Sequence, residues 1–384
     1  MKDALSSYLE SLARRLIRGC TAKTPDGVTL FTPDGVASYD ALWLRDFAYM
    51  AEYAGGCITE GELEGCIRFA LSGKRPDGWM PDRIYADGTV AYAAGVVGKP
   101  VGEANLDNTP FLIYTVYQLM DRMPAKKAKP LFEAWQDDLT KGLRVIPRSV
   151  RGLVYSDPAK PHSPYGFTDT VAKTGELMME SLLYWRACRM MARLECRFGV
   201  SPRADLSADA LLIENSLQAL YDEGSGMFLA ATGDCRQIDI WGNAYLLYIG
   251  FPAGRAEETI LSYLTEHLAE YTFKGQIRHL PRGEYWQRLL IDVKPGEYQN
   301  GAYWATATGW VLWCVAQKDP QKAMMLLLQA VSSFQDEGVF ECVNEGYQKL
   351  DSFVVSAANV LGGFRRACRE CPPFGVLAAR ADGE

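Results

Sequence analysis

The feature that most constrains the fold of this chain is a long succession of amphipathic helical segments. Apolar residues recur with helical periodicity, and loops rich in Gly, Pro and Asp separate the periodic segments. The pattern predicts about twelve helices, near residues 3–19, 40–55, 61–71, 107–122, 127–143, 169–198, 207–222, 239–250, 255–270, 300–316, 320–335 and 352–367. The chain is therefore predicted to be all-α.

The connectors between these segments are of two kinds. Some are short, such as residues 251–254 and 318–320, whereas residues 72–106, 145–168 and 271–299 form long loops rich in Gly, Pro and aromatic residues. Helical hairpins with long loops at one end are typical of an (α/α)6 barrel, in which paired helices form two concentric rings and the loops build a site at one face. An open helical solenoid is the alternative, but no recurring sequence period supports it.

Length and composition indicate one large core. The chain has 384 residues, 48% of them hydrophobic, and no break in composition marks a second domain, so residues 1–384 are predicted to form a single domain. The formal net charge of −7 argues against nucleic-acid binding, which needs clustered basic residues. The sequence does not indicate an oligomeric state.

Targeting signals and metal-binding patterns are also weak. No stretch approaches the roughly 20 apolar residues of a membrane span, and the first helix carries charges instead of an apolar signal core, which predicts a cytoplasmic protein without a membrane partner. The ten cysteines are irregularly spaced, and Cys368 and Cys371 form a CxxC pair without a second pair. We therefore expect neither a metal nor a cofactor.

Polar and aromatic residues concentrate in clusters at the predicted helix starts. The clusters are Trp43–Asp46, Arg75–Asp82, Asn105–Asn108, Tyr165–Asp169, Asp239–Gly242, Gly296–Trp304 and Phe340–Glu345. Aromatic faces, hydroxyl-binding polar groups and pairs of carboxyl groups are what a carbohydrate site requires. Each cluster alone has a plainer interpretation, since Asp46 and Asp169 could cap helices and the aromatic residues could be core anchors. Their recurrence favours a site, and the apolar neighbours of Glu341 predict a raised pKa.

At these residues the chain resembles the six-hairpin glycosidase superfamily, which includes glucoamylases, trehalases, processing α-glucosidases, neutral invertases and α-rhamnosidases. Trp43-Leu-Arg-Asp46 looks like the sugar-binding Arg-Asp of glucoamylase-like enzymes, and Glu297–Trp304 is similar to the Y-x-N-G-(G/A)-x-W element of several families. Gly338–Glu341 looks like the late turn that carries the general base. The resemblance covers about residues 35–365, but the segment around Asp169 lacks the S-G-W-D-x-S pattern of trehalase-like enzymes.

The resemblance implies an exo-acting, inverting glycoside hydrolase whose partner is a carbohydrate substrate. Asp169 would be the general acid and Glu341 the general base, with Glu345 as a competitor for that role. The residues expected to bind the sugar are Trp43, Arg45, Asp46, Trp79, Asp107, Asn108, Trp241, His279, Glu297, Gln299, Asn300, Tyr303 and Trp304.

Other functions on the same barrel remain open at this point. An unsaturated uronyl hydrolase would use Arg278, Arg282 and Arg288 to bind a carboxylate, and a sugar phosphorylase would use the same loop to bind phosphate. A sugar 2-epimerase would need paired His, and the chain has only three His. A barrel that binds sugar without catalysis is the non-enzymatic alternative. Two acids facing each other over an aromatic pocket would distinguish an enzyme from that alternative.

Overall fold

The chain forms a closed double ring of helices. A computed structural model describes residues 4–381, and this part of the chain contains thirteen α-helices: α1 Ala4–Gly19, α2 Leu44–Tyr53, α3 Glu60–Ser72, α4 Asn108–Arg122, α5 Ala125–Arg144, α6 Met178–Phe198, α7 Leu206–Ser216, α8 Ile240–Tyr248, α9 Ala256–Glu266, α10 Thr308–Lys318, α11 Pro320–Asp336, α12 Val354–Glu370 and α13 Pro372–Ala381. The predicted all-α class is correct. None of these helices combines the length and apolarity needed to cross a bilayer.

The six inner helices are α2, α4, α6, α8, α10 and α12. Each packs against the next in this order, and α12 packs against α2, which closes the ring. The helices α1, α3, α5, α7, α9 and α11 lie outside it, and α13 covers α11 and α12. Because an outer helix returns the chain between successive inner helices, the inner helices run in parallel. A closed ring excludes the open solenoid and confirms the predicted (α/α)6 barrel.

Large aromatic side chains fill the interior of the inner ring. Tyr49, Tyr245 and Trp310 are fully buried, and the Trp310 ring centroid lies 5.8 Å from that of Tyr49 and 4.8 Å from that of Tyr245. Burying one such side chain contributes about 2–3 kcal/mol. Packed side chains therefore fill the interior of the ring along its axis.

Short antiparallel strands organise the loops at the ends of the helices. They are β1 Thr21–Lys23, β2 Thr29–Phe31, β3 Ala41–Trp43, β4 Arg83–Tyr85, β5 Val90–Ala91, β6 Gly95–Val96, β7 Lys99–Pro100, β8 Tyr155–Ser156, β9 Gly175–Glu176, β10 Tyr221–Asp222, β11 Met227–Phe228, β12 Thr272–Phe273, β13 Gln276–Ile277, β14 Cys342–Asn344 and β15 Tyr347–Lys349. β3, β4 and β5 form one sheet, and each remaining strand pairs with its neighbour in the chain.

Three inner helices begin later than their apolar periodicity predicts. Residues 40–43, 169–177 and 300–307 lie before α2, α6 and α10, mostly in extended or turn conformation. Their backbone groups bond to distant segments: the Ala172 N–H donates to the Arg288 carbonyl (3.0 Å), and the Tyr303 N–H donates to the Val343 carbonyl (2.8 Å). Long-range hydrogen bonds thus replace the first predicted helical turns, and the polar clusters lie in loops at the barrel mouth.

The last helix, α13, was not predicted. It begins with Pro372 and Pro373, and two consecutive prolines in a sequence normally indicate the end of the preceding helix. Proline is tolerated in the first turn of a helix, because the N–H groups there have no intrahelical acceptor.

Candidate active site

A small pocket lies at the end of the barrel where the inner helices begin. Its cavity of about 40 Å³ is lined by Pro33, Tyr39, Trp43, Arg45, Asp46, Gly166, Phe167, Asp169, Tyr298, Glu341 and Phe353. These residues come from the segments before α2, α6, α10 and α12 and from the first turn of α2. The loops at one face of the ring therefore build the site, as the sequence predicts for this architecture.

A single guanidinium group organises the floor of the pocket. The Arg45 side chain, 6% exposed, lies 3.7 Å from Asp46, 3.3 Å from Asp82 and 3.6 Å from Asp107. Gly166 makes this arrangement possible, because a Cβ atom there would lie 1.7 Å from Arg45 Nη1. Asp107 fixes Gly166 in turn, by accepting the Gly166 N–H at 2.8 Å. Arg45 is thus held by three carboxylates.

Burial raises the pKa values of the carboxyl groups around Arg45. It raises the pKa of Asp46 and of Asp169 to about 7 and that of Asp107 to about 6, although in each case the positive charge of Arg45 opposes the shift. Asp46 and Asp169 can therefore each hold or release a proton near neutral pH.

Asp169 is positioned by an amide. Gln299 Nε2 donates to Asp169 Oδ1 at 2.8 Å and to the Gly166 carbonyl at 3.0 Å, while Gln299 Oε1 accepts the Thr170 N–H at 2.8 Å. Asp169 lies nine residues before α6, so it does not cap that helix. The amide hydrogen bond lowers the pKa of Asp169, but burial outweighs it, so the carboxyl group can carry a proton near neutral pH, which suits a general acid.

Glu341 has a different environment. Its side chain is 3% exposed, and burial raises its pKa, as the apolar neighbours predict. The Tyr39 hydroxyl donates to Glu341 Oε1 at 2.9 Å, and the Lys349 ammonium donates to Oε2. Both contacts lower the pKa of Glu341 and favour its ionised form. A carboxylate held in this way suits a general base.

The structure brings five of the predicted site residues to the pocket. Trp43, Arg45, Asp46, Asp169 and Glu341 all line it. Asp46 lies in the first turn of α2, whose N-cap is Trp43, so a capping role does not account for it.

Four further predicted residues lie behind the lining. Asp107 holds Gly166 and Arg45, and Gln299 holds Asp169. Trp241 and Trp304 are fully buried and pack against the pocket residue Phe167, with ring centroids 6.0 and 5.5 Å away. These four side chains support the pocket from below and do not line it.

Three other predicted sugar-binding residues make contacts within the protein and do not line the pocket. The Asn108 amide donates to the Met80 and Tyr92 carbonyls at 2.9 Å, and the Asn300 amide group bonds to the Val293 carbonyl and the Trp286 N–H. His279 stacks on Trp241 and contacts the Phe167 carbonyl at 3.1 Å.

The remaining predicted residues do not line the pocket. Tyr303 pairs with Val343 through its backbone, and the Trp79 ring packs near His162, with centroids 5.7 Å apart. Glu297 is 42% exposed in a turn. Glu345 is exposed in the β14–β15 turn, which does not reach the pocket. Of the two competing late glutamates, the structure brings only Glu341 to the site.

Several residues of the site had no predicted role. Gly166, Phe167 and Tyr298 lie within the predicted clusters, whereas Pro33, Tyr39 and Phe353 in the lining and Lys349 beside Glu341 lie outside them. One signal for Lys349 is present in the sequence, since Glu345-Gly346 is a plausible hairpin turn that would return Lys349 to the neighbourhood of Glu341. Tyr39 reaches the site through a loop that no periodicity describes.

No protein-family model matches the sequence, and no curated protein matches it. Solved structures do match the fold, among them the following three. A GH63 mannosylglycerate hydrolase from Thermus thermophilus, in complex with Tris and D-glycerate, superimposes with a TM-score of 0.64 at 17% identity, over 92% of this chain and 99% of that chain. A glucoamylase from Saccharomycopsis fibuligera gives a TM-score of 0.61 at 12% identity, over 96% of each chain. A rhamnosidase from Klebsiella oxytoca with rhamnose bound gives 0.65 at 11% identity, over 95% of this chain and 64% of that chain.

These likenesses confirm the predicted fold. The mannosylglycerate hydrolase and the glucoamylase are glycoside hydrolases with (α/α)6 barrels, and the chain shares that architecture along nearly its whole length. At identities below one in five residues, the likeness concerns the fold, and the site must supply the argument for activity.

Proposed function

We propose that the protein is a glycoside hydrolase that releases a terminal sugar with inversion of the anomeric centre, and that residues 1–384 form one catalytic domain. The observation that carries the proposal is the presence of Asp169 and Glu341 on one small pocket with different hydrogen-bond donors, an amide for Asp169 and an ammonium and a phenol group for Glu341. Two carboxyl groups with different environments are the minimal equipment for acid–base cleavage of a glycosidic bond. The glycoside hydrolase structures that share the fold support this choice.

In the proposed mechanism, Asp169 protonates the leaving-group oxygen. Its pKa of about 7, raised by burial, keeps much of the group protonated at neutral pH. Glu341, held as a carboxylate by Lys349 and Tyr39, removes a proton from the attacking water. The water oxygen bonds to the anomeric carbon as the bond to the leaving oxygen breaks.

The ring order supports inversion. Asp169 precedes α6 and Glu341 precedes α12, and these helices are three positions apart in a ring of six. Carboxyl groups that approach from opposite sides of the mouth leave room between them for a water, which inverting enzymes accommodate with separations of about 6.5–9.5 Å. The packed interior below the pocket supports exo action, because a closed floor accepts the end of a sugar chain and not its middle.

The free polar groups of the pocket suit neutral hydroxyls. The indole Nε1 of Trp43 and the Nε of Arg45 are buried and have no hydrogen-bond partner among residues 4–381. Unsatisfied buried donors are costly, so a ligand oxygen that accepts from them would be favoured. Asp46 would accept from a sugar hydroxyl, and the faces of Trp43, Phe167 and Tyr298 would cover apolar parts of the ring.

The charges of the pocket disfavour the two enzymatic alternatives. Arg45 is the one cation among the lining residues, and three carboxylates already surround it. Arg278 donates to the Glu284 carbonyl, Arg282 to backbone carbonyls, and Arg288 to Asp234 at 2.6 Å. The lining residues therefore include no unpaired cation that could bind a uronate or a phosphate. A neutral terminal sugar suits this pocket better than either anion.

The test is a substrate screen with two inactivating variants. The wild-type protein would be assayed on glycosides whose terminal sugar is neutral, including mannosylglycerate, short α-glucosides and rhamnosides. The anomer released first would be identified by proton NMR. We expect Asp169→Asn and Glu341→Gln to lose at least about 100-fold in kcat, since acid–base groups contribute about 10²–10⁴-fold. Glu345→Gln, a matched control on an exposed glutamate, should keep wild-type activity. Normal turnover in both inactivating variants would refute the mechanism, and release of the retained anomer would refute inversion.

A further inference from the structure

Lys349 occupies an unusual position beside the site. It lies on β15 opposite Cys342 of β14, and the Glu341 N–H donates to the Lys349 carbonyl at 3.0 Å. Its ammonium group contacts the Glu341 carboxylate and donates to the Tyr39 hydroxyl at 2.8 Å. The same group lies 3.7 Å from the ring centroid of Tyr298. Lys349 is thus fixed by three partners without lining the pocket.

We propose that Lys349 is a positioning residue that keeps Glu341 ionised and oriented, and that it thereby sets the lower pH boundary of activity. The inference rests on the proposed function, in which Glu341 is the general base. It extends that function by assigning the ionisation of the base to one partly exposed side chain outside the pocket.

The charges that face Glu341 come from several elements. Burial disfavours its ionised form most strongly, and the negative charge of Asp34, in the loop before α2, acts in the same direction. Asp46, on α2, adds a further negative group, since the charges of Asp46 and Glu341 repel each other. Tyr39 and Lys349 oppose these effects, and Lys349 supplies the compensating positive charge by direct contact. Without that charge, a carboxylate so deeply buried would be neutralised at the pH of the reaction.

The contacts also fix the orientation of the carboxylate. Tyr39 occupies Oε1 and Lys349 occupies Oε2. A carboxylate has about four acceptor positions, so the remaining lone pairs can accept a proton from water. The cation–π contact with Tyr298, whose ring lines the pocket, restricts the ammonium group to this position. Lys349 therefore links the wall of the pocket to the base.

The first experiment measures kcat against pH, with whichever glycoside the screen identifies. Lys349→Met and Lys349→Gln remove the charge, and the structure predicts that each moves the acid limb upward by about 1–3 pH units, because an adjacent opposite charge lowers a carboxyl pKa by that amount. The basic limb should stay in place, since Arg45 and Gln299, not Lys349, act on the acid Asp169. Lys349→Arg keeps the charge and should keep the acid limb near its wild-type position.

A matched control comes from the adjacent residue of the same strand. Gln348 is exposed and bonds to Glu337, so Gln348→Met changes β15 without touching Glu341. A structural role of Lys349 would lower kcat at every pH and leave both limbs in place. An acid limb that does not move in either neutral variant would overturn the inference.

A second measurement does not depend on activity. The Glu341 carboxyl group can be titrated by infrared difference spectroscopy in the full-length protein, with its band assigned by its loss in Glu341→Gln. We expect the band to titrate at higher pH in Lys349→Met and Lys349→Gln than in wild type, and an unchanged titration would overturn the inference. If no glycoside is hydrolysed, the proposed function fails, and this titration alone decides whether Lys349 controls Glu341.

Discussion

Gly166 offers a sharp test of how the floor of the site is built. An alanine Cβ at this position would lie 1.7 Å from Nη1, 1.8 Å from Cζ and 2.3 Å from Nε of Arg45. Real contacts of a Cβ atom are essentially never shorter than 3.0 Å, so the guanidinium group must move in Gly166→Ala. It has little room to do so, because its side chain is 6% exposed and lies between three carboxylates.

The cost depends on how far Arg45 moves. A shift within the cluster corresponds to overpacking, which costs about 1–3 kcal/mol. Expulsion of Arg45 would leave buried carboxylates without their cation, which costs about 3–5 kcal/mol. Loss of Arg45 would also raise the pKa of Asp169 further, since Arg45 at present lowers it. We therefore expect Gly166→Ala to lower the free energy of unfolding by at least about 1 kcal/mol and to reduce kcat.

Urea unfolding followed by circular dichroism measures the stability change, and kcat on the identified glycoside measures the effect on the site. Gly61→Ala is a suitable control, because a Cβ there meets nothing within 4 Å and Gly61 lies in the first turn of α3. That substitution should be neutral or stabilising by less than about 1 kcal/mol. If Gly166→Ala matches Gly61→Ala in both stability and activity, the packing of Arg45 on Gly166 does not hold the site together.

Three further predictions concern the buried polar groups. Lys173→Met removes one partner of the fully buried Lys173–Glu180 ion pair (2.8 Å) and should destabilise the fold by about 3–5 kcal/mol in urea unfolding, whereas Lys173→Met combined with Glu180→Leu should recover much of that loss. In the native state burial raises the pKa of Asp46 to about 7 from an ordinary value of 3.8, so between these pH values the native state binds more protons than the unfolded state. The contribution of Asp46 to the free energy of unfolding must then fall as pH rises from about 4 to 7. The Asp46→Asn variant lacks this loss, so its free energy of unfolding relative to wild type should be higher at pH 8 than at pH 5. The same relative value at both pH values would contradict the shift. Gln299→Leu removes the hydrogen bond that lowers the pKa of Asp169, so the basic limb of the pH–kcat profile should move upward, and a limb at the wild-type position would show that the amide does not tune the acid.

The helical architecture was readable from the sequence because its cause is local. An amphipathic helix must bury its apolar face, so its apolar periodicity can be recognised within a window of about eleven residues. Long loops recurring between hairpins then predict one functional face. The errors arose where local pattern and long-range pairing conflict. Residues 169–177 continue the periodicity of α6, yet the backbone of Thr170 bonds to the side chain of Gln299 and that of Ala172 bonds to Arg288.

The pocket was predictable in part for a similar reason. Trp43, Arg45 and Asp46 lie at the start of α2, and Asp169 and Glu341 lie in the loops that lead into α6 and α12. A closed ring with parallel inner helices brings these segments to one end. The sequence could not separate lining residues from the layer behind them. Trp241 and Trp304 are aromatic residues of the kind that contact sugars, but they lie behind Phe167. The depth of a side chain depends on how neighbouring loops pack.

What the sequence by itself determined is the ring of helices and the one end of that ring at which the long loops with their polar clusters meet. Only the tertiary structure decided which late glutamate reaches the pocket, since the β14–β15 hairpin turns Glu341 inward and leaves Glu345 in solvent. It also decided the pKa of each carboxyl group, since burial raises the pKa of both Asp169 and Glu341 and different neighbours oppose the shift. The Gln299 amide donates a hydrogen bond to Asp169, and the Lys349 ammonium group donates one to Glu341. Folding brings both donors to these carboxyl groups. A pKa depends on burial and on charges within a few ångströms, and those distances exist only once the loops have met.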